Sequence, residues 1–305
     1  FGIPELTPPI RRQTIRVKEK ESEVFMEKMK DLAYYNGRIT AISDMMIPAN
    51  DRGYYFGDGS YEVAMVFDYK IYALSDHLDR MESSARQLRI ALPMAKEEIG
   101  KLLSELVLKM ESSCQFLYWQ ITRGTAPRNH LFPGDGVPSN LYIYSKPWSG
   151  VQMSDEYRVM TVNDTRFLHC NIKTVNLIPN VMAAQQAKEA GCDEAVFVRD
   201  GFVTEGAHSN VSLIKDGVFI THPLDNKVLP GTERKHMIRF CGQLGIPVEE
   251  RAFTPDEMAQ ADEIIISSTS HPSMRVKMLD GKPVGMKNPE LVKKLRDCYL
   301  AEIGR

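Results

Sequence analysis

The sequence predicts an α+β protein built as two domains, and three observations carry that expectation. Between residues 34 and 147, short β-rich runs surround two amphipathic helices. Residues 148–154, inside "SKPWSGVQMSDE", combine Pro, Gly, Ser and Asp without periodicity and read as a linker. From 155 to 305, strand patterns alternate with helical ones. The 305 residues suffice for about two domains, each able to close a core.

Residues 1–33 read as an appendage. A proline-punctuated basic arm precedes "KEKESEVFMEKMKDLAYY", where Phe25, Met29 and Leu32 recur at helical spacing, so a surface helix is expected. The first domain then offers "YYNGRITAI", "YEVAMVFDYKIYAL" with a hairpin signal at "DYK", "QFLYWQITRG" and "NLYIYSKP" as strands. Its helices are "LSDHLDRMESSARQLRI" and "AKEEIGKLLSELVLKMES". In the second domain the strands are "YRVMTVND", "EAVFVRDGFVTE", "SNVSLIKDGVFITHP" and "EIIISST". Helices are expected at "NVMAAQQAKEAG", "RKHMIRFCGQLG", "TPDEMAQA" and "ELVKKLRDCYLAEIG". The first of these should bury its alanines, Val181 and Met182 and end at Gly191.

Composition narrows the function. A formal charge of -2 gives no general attraction to nucleic acid or an anionic membrane, so small molecules or protein are the expected partners. Five cysteines, widely spread and without a C-x-x-C pair, indicate neither a disulfide framework nor a metal site and suit a reducing, cytoplasmic setting. No apolar run approaches the roughly 20 residues of a membrane span, and "FGIPELTPPIRR" lacks the order of a secretory signal.

One cation is out of place. In "LHCNIKTVNLIPN", Lys173 lies among Ile172, Val175, Leu177 and Ile178, the pattern of a buried strand end running into a helix. A lysine entering a pocket there would have a lowered pKa, which an amine nucleophile needs to bind a carbonyl carbon at neutral pH. Glu205, in "GFVTEGAHSN", ends an apolar strand before a glycine, and the 32 residues separating it from Lys173 are enough for one helix and one hairpin. An amine for an aldehyde and a carboxylate for a ring nitrogen are what a protein contributes to pyridoxal phosphate chemistry. Two stretches offer a phosphate cup. Gly231 and Thr232 open a helix in "VLPGTERKHMIRF", and Ser268 and Thr269 end a buried strand in "IIISSTSHP". Arg80 either adds a charge-assisted contact or forms a surface ion pair with Asp76 or Asp79.

"RGYYFGDGSYE", "HLDR", "TRGTAPRNH", "NIKTVN", "VTEGAHSN", "LPGTER" and "ISSTS", in this order, resemble the fold type IV pyridoxal-phosphate enzymes, most closely the D-amino-acid aminotransferases. The resemblance runs from about residue 34 to the C-terminus. It implies that Lys173 is the Schiff-base lysine and proton shuttle, that Glu205 partners the pyridine nitrogen and that Leu229 packs on the ring face. It implies also that Arg80, Thr232 (through its backbone amide), Ser268 and Thr269 hold the phosphate. Tyr61, Arg128 and His130 would bind the substrate carboxylate, a role that suits a planar guanidinium fork and two further donors.

The expected activity is ping-pong amino transfer from a D-amino acid, such as D-alanine or D-glutamate, to a 2-oxo acid. Branched-chain L-amino-acid aminotransferase and aminodeoxychorismate lyase are the alternatives on the same fold; "RNH" at 128–130 disfavours the lyase. The resemblance also implies a homodimer, in which first-domain loops such as "GTAPRNHLFPGDGVP" cap the partner's site. His208, Glu233 and His271 depart from the family pattern and bear on substrate range.

Overall fold

The computed structural model describes residues 28–305. The first sheet contains β1 (Leu32–Tyr35), β2 (Arg38–Thr40), β3 (Gly59–Phe67), β4 (Lys70–Ile71), β5 (Gln115–Thr122) and β6 (Asn140–Pro147). The strands lie in the order β2-β1-β6-β5-β3-β4 and pair antiparallel throughout. Its boundary falls earlier than the sequence suggests. Leu32 and Ala33, assigned above to the appendage, are fully buried in β1, and Met29 bridges Met110. The helical spacing of Met29 and Leu32 yields to the Asn36-Gly37 turn, whose positive φ values of 45° and 97° suit a two-residue hairpin. The remainder of the expected surface helix, including Phe25, lies outside the described residues.

Alternation along β3 sets the architecture. Glu62, Ala64 and Val66 face α2 (Leu74–Gln87) and α3 (Lys96–Leu108), while Val63, Met65 and Phe67 face the second domain. A core of Leu32, Ala64, Met81, Leu103, Trp119 and Ile143 forms under the helices. A short helix, Arg52–Phe56, precedes β3 and is capped by Asp51 and by left-handed Gly57.

Trp148 to Met153 join the domains. The second sheet has β7 (Ser154–Asn163), β8 (Glu194–Arg199), β9 (Phe202–Gly206), β10 (Asn210–Lys215), β11 (Val218–Thr221), β12 (Val248–Glu250), β13 (Glu263–Ser268), β14 (His271–Leu279) and β15 (Lys282–Pro283). Their order is β12-β11-β10-β13-β14-β7-β8-β9, with β15 on β14. β14 was not foreseen. Its "HPSMRVKML" carries a proline at its second position and places Arg275 in the interior, where Glu263 pairs with it at 2.7 Å.

The helices here are α4 (Ile178–Glu189), α5 (Thr232–Leu244), α6 (Pro255–Ala259) and α7 (Pro289–Glu302), numbered with the Arg52–Phe56 helix as α1. The two cores are not separate. Met65, Phe67 and Tyr72 of the first domain pack with Ile214, Phe219, Met237, Phe240 and Tyr299 of the second. α4 keeps only part of the expected face. Ala183 and Ala187 lie against Ala195 and Phe197, whereas Val181 and Met182 are exposed, because the small residues allow the closest approach to β8. Among the described residues no helix is long and apolar enough to cross a membrane.

Candidate active site

Lys173 does not end a strand. It lies on an irregular segment after β7, held at single points rather than by a ladder. Tyr61 N–H donates to its carbonyl at 2.9 Å, its own N–H donates to Ser84 Oγ at 3.2 Å, and Val175 N–H donates to Gly59 O at 3.2 Å. Thus β3 and α2 of the first domain position a residue of the second. Gly59 lets β3 lie close to β5, since a Cβ there would run into Ile121 O of that strand. The amine Nζ lies 4.2 Å from the centre of the Tyr61 ring.

Lys173 opens into a cleft between the domains. Glu205, Arg80, Leu229, Gly231, Thr232, Ser268, Thr269 and Tyr61 all line it. Nine of the residues singled out from the sequence therefore share one concavity.

At one end Glu205, buried in β9, accepts from Arg166 Nη1 through one oxygen. The other oxygen accepts from Leu229 N–H at 2.9 Å and Asn210 Nδ2 at 3.2 Å. Arg166 also forms a fork with Asp164, at 2.9 Å on both arms, and donates to Lys227 O at 3.1 Å. Burial raises the Glu205 pKa above the usual carboxylate value, with Arg166 opposing. Burial also acts to raise Asp164, but the bonds from Arg166 prevail and lower it.

At the opposite end Gly231 caps α5 without a side chain, so the first-turn N–H groups find no side-chain acceptor there. A Cβ at Gly231 would collide with Asn210 Oδ1, which ties this turn to the Glu205 end. Ser268 Oγ is buried and has no partner among the described residues. Arg80 is no surface ion pair. Its Nε and Nη2 clasp Glu62 at 2.8 and 2.7 Å and its Nη1 donates to Pro230 O at 3.0 Å. Asp79 instead takes Lys96, at 2.7 Å, and Asp76 takes Lys235 and His236.

Arg128 and His130 stand apart. The Arg128 guanidinium lies 5.1 Å from the Phe56 ring centre, His130 stacks at 5.3 Å on the same ring, and neither lines the Lys173 cleft of its own chain. His130 lines a neighbouring groove that shares Phe167, Ile172, Thr174 and Asn176 with the cleft. His208 is at the cleft wall, with Nδ1 at 2.9 Å from buried Glu194. His271 packs beside Ser270 Oγ at 2.9 Å.

The family model for amino-transferase class IV matches residues 59–279, a span that includes every one of these groups. The chain belongs to the class IV aminotransferases. It is 38% identical over 257 residues to a D-alanine aminotransferase of Bacillus licheniformis, covering 84% of this chain and 90% of that one. A D-alanine aminotransferase of Listeria monocytogenes is 36% identical, with coverage of 88% and 94%. Among solved structures, the branched-chain amino acid aminotransferase of Escherichia coli superposes with a TM-score of 0.80 at 22% identity, covering 90% of this chain and 94% of that one. That of Thermoproteus uzoniensis gives 0.81 at 24%, with coverage of 90% and 95%. These last two likenesses are of fold.

In this class IV aminotransferase, sequence reasoning missed Arg166, Asn210 and Glu62. Asn210 stood inside the quoted "VTEGAHSN" and Glu62 inside "RGYYFGDGSYE". The available signal for Glu62 was period-2 alternation, which puts a carboxylate on the core face of β3 and so demands a buried cation.

Proposed function

We propose that this class IV aminotransferase is a pyridoxal phosphate-dependent D-amino-acid transaminase and acts as a homodimer. The observation that carries the reading is the placement of Lys173 Nζ, the Glu205 carboxylate and the open N-terminus of α5 around one cleft. The residues fit the cofactor: an amine for its aldehyde, a carboxylate for its ring nitrogen, and unmatched donors at Ser268 Oγ and the first turn of α5 for its phosphate. The relatives named D-alanine aminotransferase, alike over most of both chains, favour D-amino acids as donors.

When bound, pyridoxal phosphate supplies an aldehyde that condenses with amines and a conjugated ring that accepts the electron pair left as a Cα–H bond breaks. Lys173 Nζ would hold the cofactor and, when free, would take the Cα proton of a bound amino acid and deliver it one carbon away. Glu205 holds a proton at the ring nitrogen, and its raised pKa suits sharing that proton. Leu229 covers a ring face, while Arg80, the Thr232 amide, Ser268 and Thr269 receive the phosphate. Tyr61 stands where a substrate carboxylate would enter. Arg128 and His130, turned from their own cleft, serve the partner's, and Tyr54 and Leu131, 83% and 73% exposed, suit burial in that interface.

The test is absorbance of the cofactor-loaded protein on adding each enantiomer of alanine, then of leucine and glutamate. D-Alanine or D-glutamate should bleach the bound cofactor, and a 2-oxo acid should restore it. Equal or faster bleaching by L-leucine or L-glutamate would overturn the D-specific reading.

A further inference from the structure

The phosphate end of the cleft contains one group with no part in that chemistry. Glu233 is the second residue of α5 and lines the cleft with Arg80, Thr232 and Ser268. It is 2% exposed, and neither carboxylate oxygen has a hydrogen-bond partner among the described residues. The two guanidinium groups that act on it have other partners. Arg80 is committed to Glu62 and Pro230 O, and Arg239 of α5 to Glu302 at 2.5 Å. Tyr72 and, on α7, Tyr299 and Glu302 complete its surroundings, and His236, one turn along α5, is held between Tyr72 and Asp76.

Two effects oppose each other at this side chain. The helix dipole favours an anion in the first turn, but only modestly. An uncompensated buried charge is far more costly than that, so burial wins and the carboxyl retains its proton. Burial, then Glu302, push the Glu233 pKa well above the usual carboxylate value, with Arg80 and Arg239 opposing. A protonated carboxyl has an O–H to donate and needs an acceptor; a phosphate in the cup supplies one.

We propose that Glu233 is a hydrogen-bond donor to the cofactor phosphate, and that retention of the cofactor therefore depends on a proton at this one side chain. The inference rests on the cofactor reading above. Once ionised, Glu233 faces a phosphate dianion at short range in a poorly screened site, and the contact becomes repulsive.

The test is a titration of apoprotein with pyridoxal phosphate and, separately, pyridoxal, followed by quenching of tryptophan fluorescence. Wild type, Glu233→Gln and Glu233→Leu are compared from about pH 7 to 9, above the second phosphate pKa of about 6. The wild-type dissociation constant for pyridoxal phosphate should rise at least about tenfold relative to that of Glu233→Gln, whose amide keeps a donor at every pH. Glu233→Leu should bind pyridoxal phosphate about tenfold more weakly than Glu233→Gln with no excess pH dependence, and pyridoxal equally well. Parallel pH curves for wild type and Glu233→Gln, or equal losses of both ligands in Glu233→Leu, overturn the proposal. Absence of any pyridoxal phosphate uptake by wild type removes the cofactor reading and the inference with it. Difference infrared spectra of wild type with inorganic phosphate give a second measure: a protonated-carboxyl band should shift on binding and be missing in Glu233→Gln, and its absence from wild type overturns the proposal.

Discussion

The two ends of the Lys173 cleft are built in opposite ways. Both oxygens of Glu205 are matched: Arg166, itself between two carboxylates, on the first, Asn210 and the Leu229 amide on the second. Around Gly231 and Thr232, Ser268 Oγ and both oxygens of Glu233 have no partner among the described residues, and the helix N-terminus has no side-chain cap. A matched network exists in the folded chain before any ligand arrives and fixes a geometry. An unmatched one stores polar groups that a ligand can satisfy, which converts directly into affinity. On this contrast the Glu205 end should govern rate and the α5 end should govern retention.

Lys173→Ala breaks the contrast outright, since the amine serves both binding and proton transfer. Turnover should fall by at least about 10⁴-fold, the upper range for a general base alone. Borohydride treatment of the wild-type holoprotein should label Lys173; a label on any other lysine removes the assignment. Glu205→Gln is the cleaner cut at one end. It keeps the shape and the Asp164–Arg166 fork but removes the charge, so turnover should drop about 10²–10³-fold, the scale for one electrostatic stabiliser. Cofactor retention at equilibrium dialysis should stay near wild type, and a large loss there would contradict the division of labour.

In the proposed reading Arg128 serves the substrate carboxylate, and its expected effect is smaller. Arg128→Leu should raise the KM for D-alanine about ten- to a hundredfold, the worth of a charge-assisted contact, and leave the cofactor spectrum unchanged. The sharper version mixes this variant with Lys173→Ala during refolding or co-expression. If Arg128 serves the partner's cleft, each mixed dimer holds one intact site and random mixing restores about a quarter of wild-type activity. No restoration places Arg128 on its own chain's cleft or outside the site.

The contrast also explains what the sequence revealed. Lys173, Glu205, Gly231 and Ser268 stand in short motifs whose residue types are odd for their local pattern, so each attracts notice alone. Arg166 and Glu62 reach Glu205 and Arg80, 39 and 18 residues away, and the local pattern does not name these distant partners. Fold legibility divides similarly. Strands β3, β5, β6 and β13 declare themselves by aromatic and β-branched runs, whereas β14 hides behind Pro272 and a buried Arg275 whose counter-charge comes from β13. On α4 only Ala183 and Ala187 of the expected face are interior, and which side Val181 and Met182 took depended on the close approach to β8.

The smallest expected effect on turnover, and the largest on stability, belongs to Glu62. Burial alone would raise its pKa, but Arg80, with His77 adding a bond at 2.8 Å, reverses this and lowers it from 4.5 to about 2. A carboxylate with a depressed folded-state pKa stabilises the fold above its unfolded value and loses that contribution as pH falls through the folded one. Between pH 4.5 and 2, therefore, this group should give up about 3 kcal/mol of unfolding free energy, a tenfold change in proton affinity being worth about 1.36 kcal/mol. Urea titrations at stepped pH should show this acid limb in wild type, and Glu62→Gln should lack it. The variant should also be about 3–5 kcal/mol less stable near neutrality, because Arg80 is left buried without its anion. Added pyridoxal phosphate then separates brace from ligand site. With Arg80 short of a counter-charge, the phosphate should protect Glu62→Gln against urea more than it protects wild type, while turnover at saturating cofactor changes little. Equal protection of both proteins would mean that Arg80 braces the fold without reaching the phosphate, and the α5 end would then rest on backbone amides, hydroxyls and Glu233.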